Sequence, residues 1–478
     1  MLNYFKKLLI LTLLFSNLFV FAQKKGYNIK IKVENYKNDT LFLGNYYGDK
    51  QYIKDTAILN SKGIYLFSGE ETLPGGVYLV ITNDRRYFEL IIDKEQFFSV
   101  ETKNEDLPKF MKIKDSPDNE VFYNFQNFNR VKYEAVDPIQ KRYAVIKDNK
   151  DLKDSVKILK DKLQALNTEI SDYKLKFIKD NPNHLMAKVF KASKDIDVPD
   201  APKLPGGGID SMFAYKYYKA HYWDNFDLTD DRILRTPVFH GRLENYFKNI
   251  IIQSNDSIKS NCDDMIERTR PNKEMFKYTL WFLTNFYEKS QIMGQDEIFV
   301  YLSEKYYATN QAYWVTPSTL ESIMKRVKHL KPTLIGTRAP ELIMPDTTDA
   351  YVSSFGHKSH FTMILFWDTD CGHCKIEVPK VKEFYDKNKK RFDIEVYAID
   401  TDHDLDRWKK YIRENKHTWI SVSGMKTNID YHDVYDIYST PVIFLLDKDF
   451  KVIAKRLGIE QVEDFLQHYL DREKKGIK

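Results

Sequence analysis

Hydrophobic and polar positions follow three successive patterns along this chain of 478 residues. From about Gly26 to Ile113, short runs rich in Ile, Val, Tyr and Phe alternate with turn-forming residues, as is typical of β-strands. The predicted strands are Tyr27–Val33, Thr40–Tyr46, Gly63–Ser68, Gly76–Thr82, Tyr87–Ile92 and Phe97–Thr102. Strands of this length and spacing predict an antiparallel β-sandwich-like N-terminal domain.

Helical periodicity replaces the strand pattern from about Ser116 to Leu330 and predicts an all-α middle domain. Its clearest segment carries apolar residues at alternating spacings of four and three. These residues are Leu152, Val156, Leu159, Leu163, Leu166, Ile170, Tyr173 and Phe177. A coiled-coil dimer fits this pattern. Because several more helices are predicted nearby, we favour an amphipathic helix that packs within its own domain.

Strands and helices alternate in the last region, which begins near Ile335. Phe361–Trp367 and Phe392–Ile399 are predicted strands on either side of a helix, and a predicted hairpin and helix close the chain. This order predicts a C-terminal α/β domain with helices on both faces of a mixed sheet.

The first residues have the pattern of an export signal. Lys6 and Lys7 precede the apolar run Leu8–Phe21, which is too short for a spanning helix of about 20 residues. We expect cleavage near Ala22 rather than an uncleaved anchor, and a periplasmic or extracellular mature protein. The predicted division is a signal peptide over 1–22, a β-rich domain over 23–115, a helical domain over 116–332 and an α/β domain over 333–478.

Composition and charge exclude several classes of protein. Hydrophobic residues make up 42% and charged residues 30%, which is an ordinary globular balance. Lys and Arg total 74 against 69 for Asp and Glu, so nothing indicates a nucleic-acid partner. Only three cysteines are present, Cys262, Cys371 and Cys374, which is too few for an exported fold of this length stabilised by disulfides.

The candidate chemistry lies in Cys371-Gly372-His373-Cys374, where a predicted strand gives way to a helix. The free amides and dipole at the start of a helix favour a thiolate at Cys371, and His373 adds a possible cation. Cys371 is therefore the expected nucleophile and Cys374 the resolving thiol. A zinc site would need four ligands, which the sequence does not supply at finger spacing. Covalent haem attachment would need histidine where Lys375 stands.

The stretch Phe366–Pro379 resembles the active site of thioredoxin-like proteins of the TlpA/ResA type. Ser439-Thr440-Pro441 resembles their cis-proline loop, and Gly336–Glu341 resembles the entry to their additional N-terminal hairpin. The regions upstream, which include His221–Asn225 and Arg235–His240, are similar to paired uncharacterised domains that precede TlpA-like modules in exported proteins of Bacteroidota.

The resemblance implies a role for several residues beside the cysteines. Pro379 would kink the active-site helix, and Glu377 would relay the proton that Cys374 must lose. A cis Thr440–Pro441 bond would face the sulfurs, and the backbone of Thr440 would pair with an extended substrate. Trp367 is a further expected substrate contact.

Two departures from the family pattern affect this reading. Leu365 stands where thioredoxin keeps a buried aspartate, so the proton acceptor must lie elsewhere. Asp370 replaces the common tryptophan before the first cysteine, and its charge would oppose thiolate formation. Gly372 and His373 match protein disulfide isomerases, whose potential of about −180 mV favours oxidation or isomerisation relative to about −270 mV for thioredoxin. The rest of the domain also tunes this potential, so the sequence leaves both directions of exchange open.

The sequence therefore predicts an exported thiol–disulfide oxidoreductase. We expect no cofactor other than a redox-active Cys371–Cys374 disulfide. The expected partners are protein thiols and disulfides of the cell envelope and a membrane or periplasmic redox protein. One alternative is a cell-envelope protein that binds peptide or glycan and carries a vestigial thioredoxin-like domain. Another is a thiol-based metal chaperone.

Overall fold

A computed structural model of the chain describes residues 25–427 and 430–476. The described residues form two compact units. One runs up to Ile251 and includes Arg270–Met275, and the other comprises Ile252–Thr269 and the residues from Phe276 onward. The predicted signal peptide, residues 1–22, lies outside the described residues. Among the described residues, no helix is both long enough and apolar enough to cross a membrane.

The N-terminal strands form two four-stranded sheets, in the orders β4-β1-β7-β8 and β3-β2-β5-β6. Their inward residues share one core that contains Ile29, Leu43, Phe67 and Val80. The strands are β1 (Tyr27–Glu34), β2 (Thr40–Tyr47), β3 (Lys50–Ile58), β4 (Tyr65–Gly69), β5 (Gly76–Thr82), β6 (Tyr87–Ile92), β7 (Phe97–Lys103) and β8 (Lys112–Lys114). The predicted β-rich N-terminal fold is thus confirmed.

Two features of these sheets differ from the sequence prediction. Strands β3 and β8 were not predicted, because β3 carries mostly exposed residues with little alternation and β8 has only three residues. The pairing of β1 with β7 is parallel, whereas the other strand pairs of the two sheets are antiparallel.

The middle of the chain is helical, as predicted. Its α-helices are α1 (Pro117–Ile146), α2 (Lys153–Asp180), α3 (Leu185–Ala192), α4 (Phe213–His221), α5 (Val238–Asn245), α6 (Asn255–Thr269), α7 (Lys273–Glu288), α8 (Asp296–Leu302) and α9 (Pro317–Leu330). The periodic segment is α2, and it packs on α1 of the same chain. Phe128 stacks on Tyr173 with ring centroids 4.4 Å apart. Packing inside the chain therefore accounts for the C-terminal half of the apolar row, where Ile170 and Phe177 are buried.

The C-terminal region contains a five-stranded mixed sheet in the order β13-β12-β11-β14-β15. Its elements are β9 (Ile343–Pro345), β10 (Tyr351–Ser353), β11 (Phe361–Trp367), α10 (Gly372–Phe392), β12 (Ile394–Asp400), α11 (Leu405–Glu414), β13 (Ile420–Ser423), α12 (Tyr431–Tyr435), β14 (Val442–Leu446), β15 (Val452–Lys455) and α13 (Ile459–Lys474). β9 and β10 pair as the additional hairpin that the resemblance implied. The predicted α/β fold is confirmed.

The sheet brings two chemically important segments together. All seven residues of the central strand β11 are buried, which fits a strand covered on both faces. The antiparallel register pairs Phe366 of β11 with Val442 of β14. The end of β11 and the start of β14 therefore lie side by side, so the cysteine motif after β11 adjoins the Thr440–Pro441 loop before β14.

A buried lysine stabilises the second unit. Lys455 on β15 forms an ion pair with Asp296 and donates to the carbonyl of Thr333 at 2.9 Å, and its side chain is 7% exposed. Replacing Lys455 with alanine would leave the Asp296 carboxylate without its cation, so we expect a loss of about 3 kcal/mol in the free energy of unfolding. Urea unfolding would measure it. Lys448→Ala, at an exposed turn, is the matched control and should cost much less; equal losses would contradict the prediction.

Candidate active site

Cys371 is the N-cap residue of helix α10, at the junction that the sequence predicted. Its Sγ accepts a hydrogen bond from the backbone amide of Cys374 at 3.3 Å. The Cys371 side chain is partly exposed, whereas Cys374 is 1% exposed and packs in the core with Val378. Both are free thiols in this structure. One sulfur thus faces solvent while the other lies beneath it.

The surroundings of the two thiols separate their acidities. Burial alone would raise the pKa of Cys371, but hydrogen bonds from the side chains of Cys374 and Thr440 and from the backbone amides of Cys374 and His373 outweigh it and lower the pKa below the ordinary value. Burial, followed by the hydrogen bond to Cys371, raises the pKa of Cys374. Because the thiolate is the attacking species, Cys371 is suited to be the nucleophile and Cys374 must lose a proton before it can react.

This difference predicts a selective pH profile of alkylation. A thiol with a lowered pKa is already largely ionised at a pH where an ordinary thiol is protonated, so Cys371 of the reduced protein should react with iodoacetamide first and at a lower pH. Peptide mass spectrometry after short exposures between pH 5 and 9 would measure the alkylation rates of Cys262, Cys371 and Cys374. The rate at Cys371 should reach half its maximum below the value of about 8.5 usual for cysteine. Similar rates at Cys371 and Cys374 would contradict the prediction.

The proline loop lies against the exposed sulfur. The Thr440–Pro441 peptide bond is cis, as the resemblance implied. The thiol of Cys371 donates to the backbone carbonyl of Thr440 at 3.4 Å. A substrate segment that paired with the backbone of Thr440 would therefore bring its own sulfur close to Cys371.

The placement of Trp367 corrects one expectation. This residue was expected to contact substrate, but it is 1% exposed, and its ring packs against Tyr411 with centroids 5.1 Å apart. It lies below the site because both faces of β11 are covered, so its side chain supports the site from within. Leu365, at the position where thioredoxin has an aspartate, is likewise buried and packs in the same core.

The other predicted residues of the helix lie on its exposed side. His373 is exposed in the first turn of α10. Glu377 is partly exposed, and its carboxylate accepts a hydrogen bond from the ammonium group of Lys380 at 2.6 Å. Pro379 lies inside the helix, as expected. The roles of His373 and Glu377 in proton transfer remain predictions.

The loop before Cys371 is held by charged neighbours. The carboxylate of Asp370 lies 3.1 Å from the ammonium of Lys375 and 4.0 Å from the guanidinium of Arg407. These cations offset the charge that was expected to oppose a thiolate. Arg407 also binds both carboxylate oxygens of Asp402, at 2.7 and 2.6 Å, and Asp402 accepts a hydrogen bond from Thr369. The side-chain hydrogen bond from Arg407 lowers the pKa of Asp402 to about 2.

Sequence reasoning missed a buried carboxyl group beside this loop. Asp400 ends β12, opposite Trp367 in the parallel register. It is completely buried, and among the described residues neither of its carboxylate oxygens has a hydrogen-bond partner. Burial, with the nearby charges of Asp402 and Asp368, raises the pKa of Asp400 to about 8. No sequence signal distinguishes this aspartate, because Asp400, Asp402 and Asp404 together have the composition of a solvated loop.

Cys262 lies apart from this chemistry in the fold. It is fully buried on α6, and burial raises the pKa of its thiol well above the ordinary value. Such a thiol is unreactive in the folded state. Within residues 25–427 and 430–476, no group of three or more His, Cys, Asp or Glu side chains could hold a metal ion.

Three regions of the chain match families of known proteins. Residues 359–452 match a family described as thioredoxin-like. Residues 27–122 match the domain of unknown function DUF4369, and residues 153–331 match the domain of unknown function DUF5106. These matches follow the β-rich, helical and α/β regions in that order.

Several known proteins are similar to parts of this chain. Thiol-disulfide oxidoreductase ResA of Bacillus cereus is 29% identical over 138 residues, which are 29% of this chain and 78% of the relative. A solved domain of a possible thiol-disulfide isomerase from Cytophaga hutchinsonii is 40% identical and corresponds to 30% of this chain and 98% of that one, with a TM-score of 0.29. A solved thioredoxin-like protein from Bacteroides caccae is 20% identical and corresponds to 57% of this chain and 99% of that one, with a TM-score of 0.45.

The sheet order, the cysteine motif at the start of α10, the cis-proline loop and the family matches all agree. Residues 359–452 therefore form a thioredoxin-like domain, and they follow regions that match two domain families of unknown function.

Proposed function

We propose that this protein is an exported thiol–disulfide oxidoreductase that exchanges disulfides with proteins of the cell envelope through Cys371 and Cys374. One observation carries the proposal: the partly exposed sulfur of Cys371 lies 3.3 Å from the amide of Cys374 and 3.4 Å from the carbonyl before the cis-proline. The sulfur of Cys371 thus lies at a helix N-terminus that stabilises a thiolate, and beside a backbone segment with which a substrate can pair.

The reaction consists of two exchange steps. The Cys371 thiolate attacks one sulfur of a substrate disulfide, which forms a mixed disulfide and releases the other substrate sulfur as a thiolate. Cys374 then loses its proton and attacks the Sγ of Cys371, which forms the Cys371–Cys374 disulfide and releases the second substrate sulfur. The released thiolates take up protons. The substrate disulfide is reduced by two electrons, the protein dithiol is oxidised by two, and the reverse sequence oxidises a substrate dithiol.

Other residues have supporting roles in this proposal. The backbone of Thr440 docks the extended substrate chain beside Pro441. Glu377 and His373, in the exposed first turns of α10, are the proposed groups for proton movement near the thiols. The N-terminal pattern over residues 1–22, which lie outside the described residues, supports export.

Two assays with the purified protein would test the proposal. Catalysed reduction of insulin by dithiothreitol measures reductase activity, and recovery of scrambled ribonuclease measures isomerase activity. We expect turnover in at least one assay, and the faster assay identifies the direction that the protein favours. Failure in both assays, with a folded protein whose thiols are reduced, would contradict the proposed function.

A further inference from the structure

A cavity opens beside the loop that carries the cis-proline. Its volume is about 350 Å³, and Ser439 and Pro441 form part of its lining. Thr440 lies between these two residues, and its carbonyl contacts the sulfur of Cys371 at 3.4 Å. A polypeptide docked on Thr440 would therefore place a neighbouring side chain at this cavity.

The cavity is lined by two cations and one anion. Asp436 accepts hydrogen bonds from Arg326 and from Arg456, the latter at 2.6 Å. The Asp436 side chain is 2% exposed, whereas that of Arg456 is 54% exposed and that of Arg326 is 29% exposed. One carboxylate cannot neutralise two guanidinium groups. The lining therefore has one net positive charge, and its cations are more accessible than its anion.

Guanidinium groups select the chemistry of a ligand. Each has five N–H donors, and the bonds to the Asp436 carboxylate use one nitrogen of each group. The free donors can bind a carboxylate, for which the planar guanidinium is well matched. Tyr438, also in the lining, is 69% exposed, and its hydroxyl bonds to His329 at 3.0 Å. His329 also lies 3.0 Å from Asp433, which is not part of the cavity lining.

We propose that this cavity binds an acidic side chain of the substrate polypeptide, an aspartate or glutamate close to its reactive cysteine. The proposal rests on the proposed function and specifies its substrates. Arg326 belongs to α9, within the region that matches DUF5106, and α9 lies in the same compact unit as the thioredoxin-like domain. The helical region thus supplies a specificity residue for a site that a thioredoxin-like domain alone would lack.

A set of short peptide disulfides would test this specificity. The peptides are identical except for Glu, Gln or Lys at a position within two residues of the cysteine, and each position is tested separately. The kcat/KM of reduction is measured for the unmodified protein and for Arg456→Gln, Arg326→Gln and Lys448→Gln. Lys448→Gln is the matched control, because it removes one positive charge beyond the other end of β14.

We expect Glu to be favoured over Lys by about tenfold in at least one position, since an ion pair replaces a like-charge contact. Each arginine variant should reduce this preference to about twofold, without a comparable change for the Gln peptide. The control should keep the full preference, and added salt should weaken it. Arg456 is the more exposed arginine. If Arg326→Gln lowers the melting temperature, the test therefore uses Arg456→Gln alone.

Three results would overturn the proposal. Equal rates for Glu, Gln and Lys peptides at every position would refute the acidic pocket and leave the proposed function intact. If both arginine variants kept the preference for Glu, residues outside this cavity would be its cause. If no peptide disulfide were reduced while insulin or scrambled ribonuclease was still turned over, the pocket proposal alone would fail; absence of turnover in both of those assays would refute the proposed function as well.

Discussion

Replacing Cys371 with serine is expected to lower the rate of disulfide turnover by at least about 1,000-fold, because a hydroxyl cannot attack sulfur or form the mixed disulfide. Insulin reduction and ribonuclease refolding would measure the loss. Cys262→Ala is the matched control, since this thiol is fully buried on another helix. It should keep nearly full activity in the folded protein.

Loss of the second thiol, Cys374, should have a different effect on the reaction. A Cys374→Ser variant keeps the nucleophile but cannot resolve the mixed disulfide, so it should accumulate a covalent complex with substrate while turnover is lost. Gel analysis without reductant would detect the complex. Full activity of Cys371→Ser, or a mixed disulfide that involved Cys262, would contradict the assigned order of reaction.

Replacing Asp400 with asparagine is expected to stabilise the protein at neutral and alkaline pH. Burial raises the pKa of Asp400 from its usual range near 4 to about 8 in the folded protein. The folded state therefore retains a proton that the unfolded state releases, and stability falls as the pH rises from about 4 to about 8. Asparagine does not ionise. The gain should be negligible near pH 4 and should reach about 5 kcal/mol above pH 8.

Asp402 supplies a control of opposite sign on the same segment. The hydrogen bond from Arg407 lowers the pKa of Asp402 to about 2, so its charge stabilises the folded state above the unfolded pKa of about 4 and is lost as the pH falls through 2. Asp402→Asn should thus lose about 2 kcal/mol at pH 7. Urea unfolding at pH 5, 7 and 8.5 would measure both variants. A loss of stability for Asp400→Asn at pH 8.5 would contradict the account.

Local patterns were sufficient to predict most of the fold. The motif at Cys371 and the loop at Pro441 could be located because one follows a strongly apolar strand and the other precedes one. Most strands of the β-rich region could also be predicted, because they are short apolar runs separated by turn-forming residues. β3 was not recognised, because its residues are mostly exposed and have little apolar periodicity.

The features that the sequence did not reveal depend on contacts between distant segments. Trp367 was expected to contact substrate, yet it is buried because helices cover both faces of β11. Asp400 is buried only because the sheet and its neighbouring loops enclose it. Arg326 and Asp436 are 110 positions apart, and no local pattern links them. Burial of a charge and long-range ion pairing are properties of the tertiary packing, which residue spacing alone does not encode.

Counting free thiols in two redox states would test the central claim most directly. The protein is reduced with dithiothreitol or oxidised with glutathione disulfide, then denatured and alkylated, and its peptides are weighed. The account predicts alkylation of all three cysteines in the reduced sample and of Cys262 alone in the oxidised one, with the peptide that holds Cys371 and Cys374 lighter by two hydrogens. Alkylation of all three cysteines in both samples would contradict it.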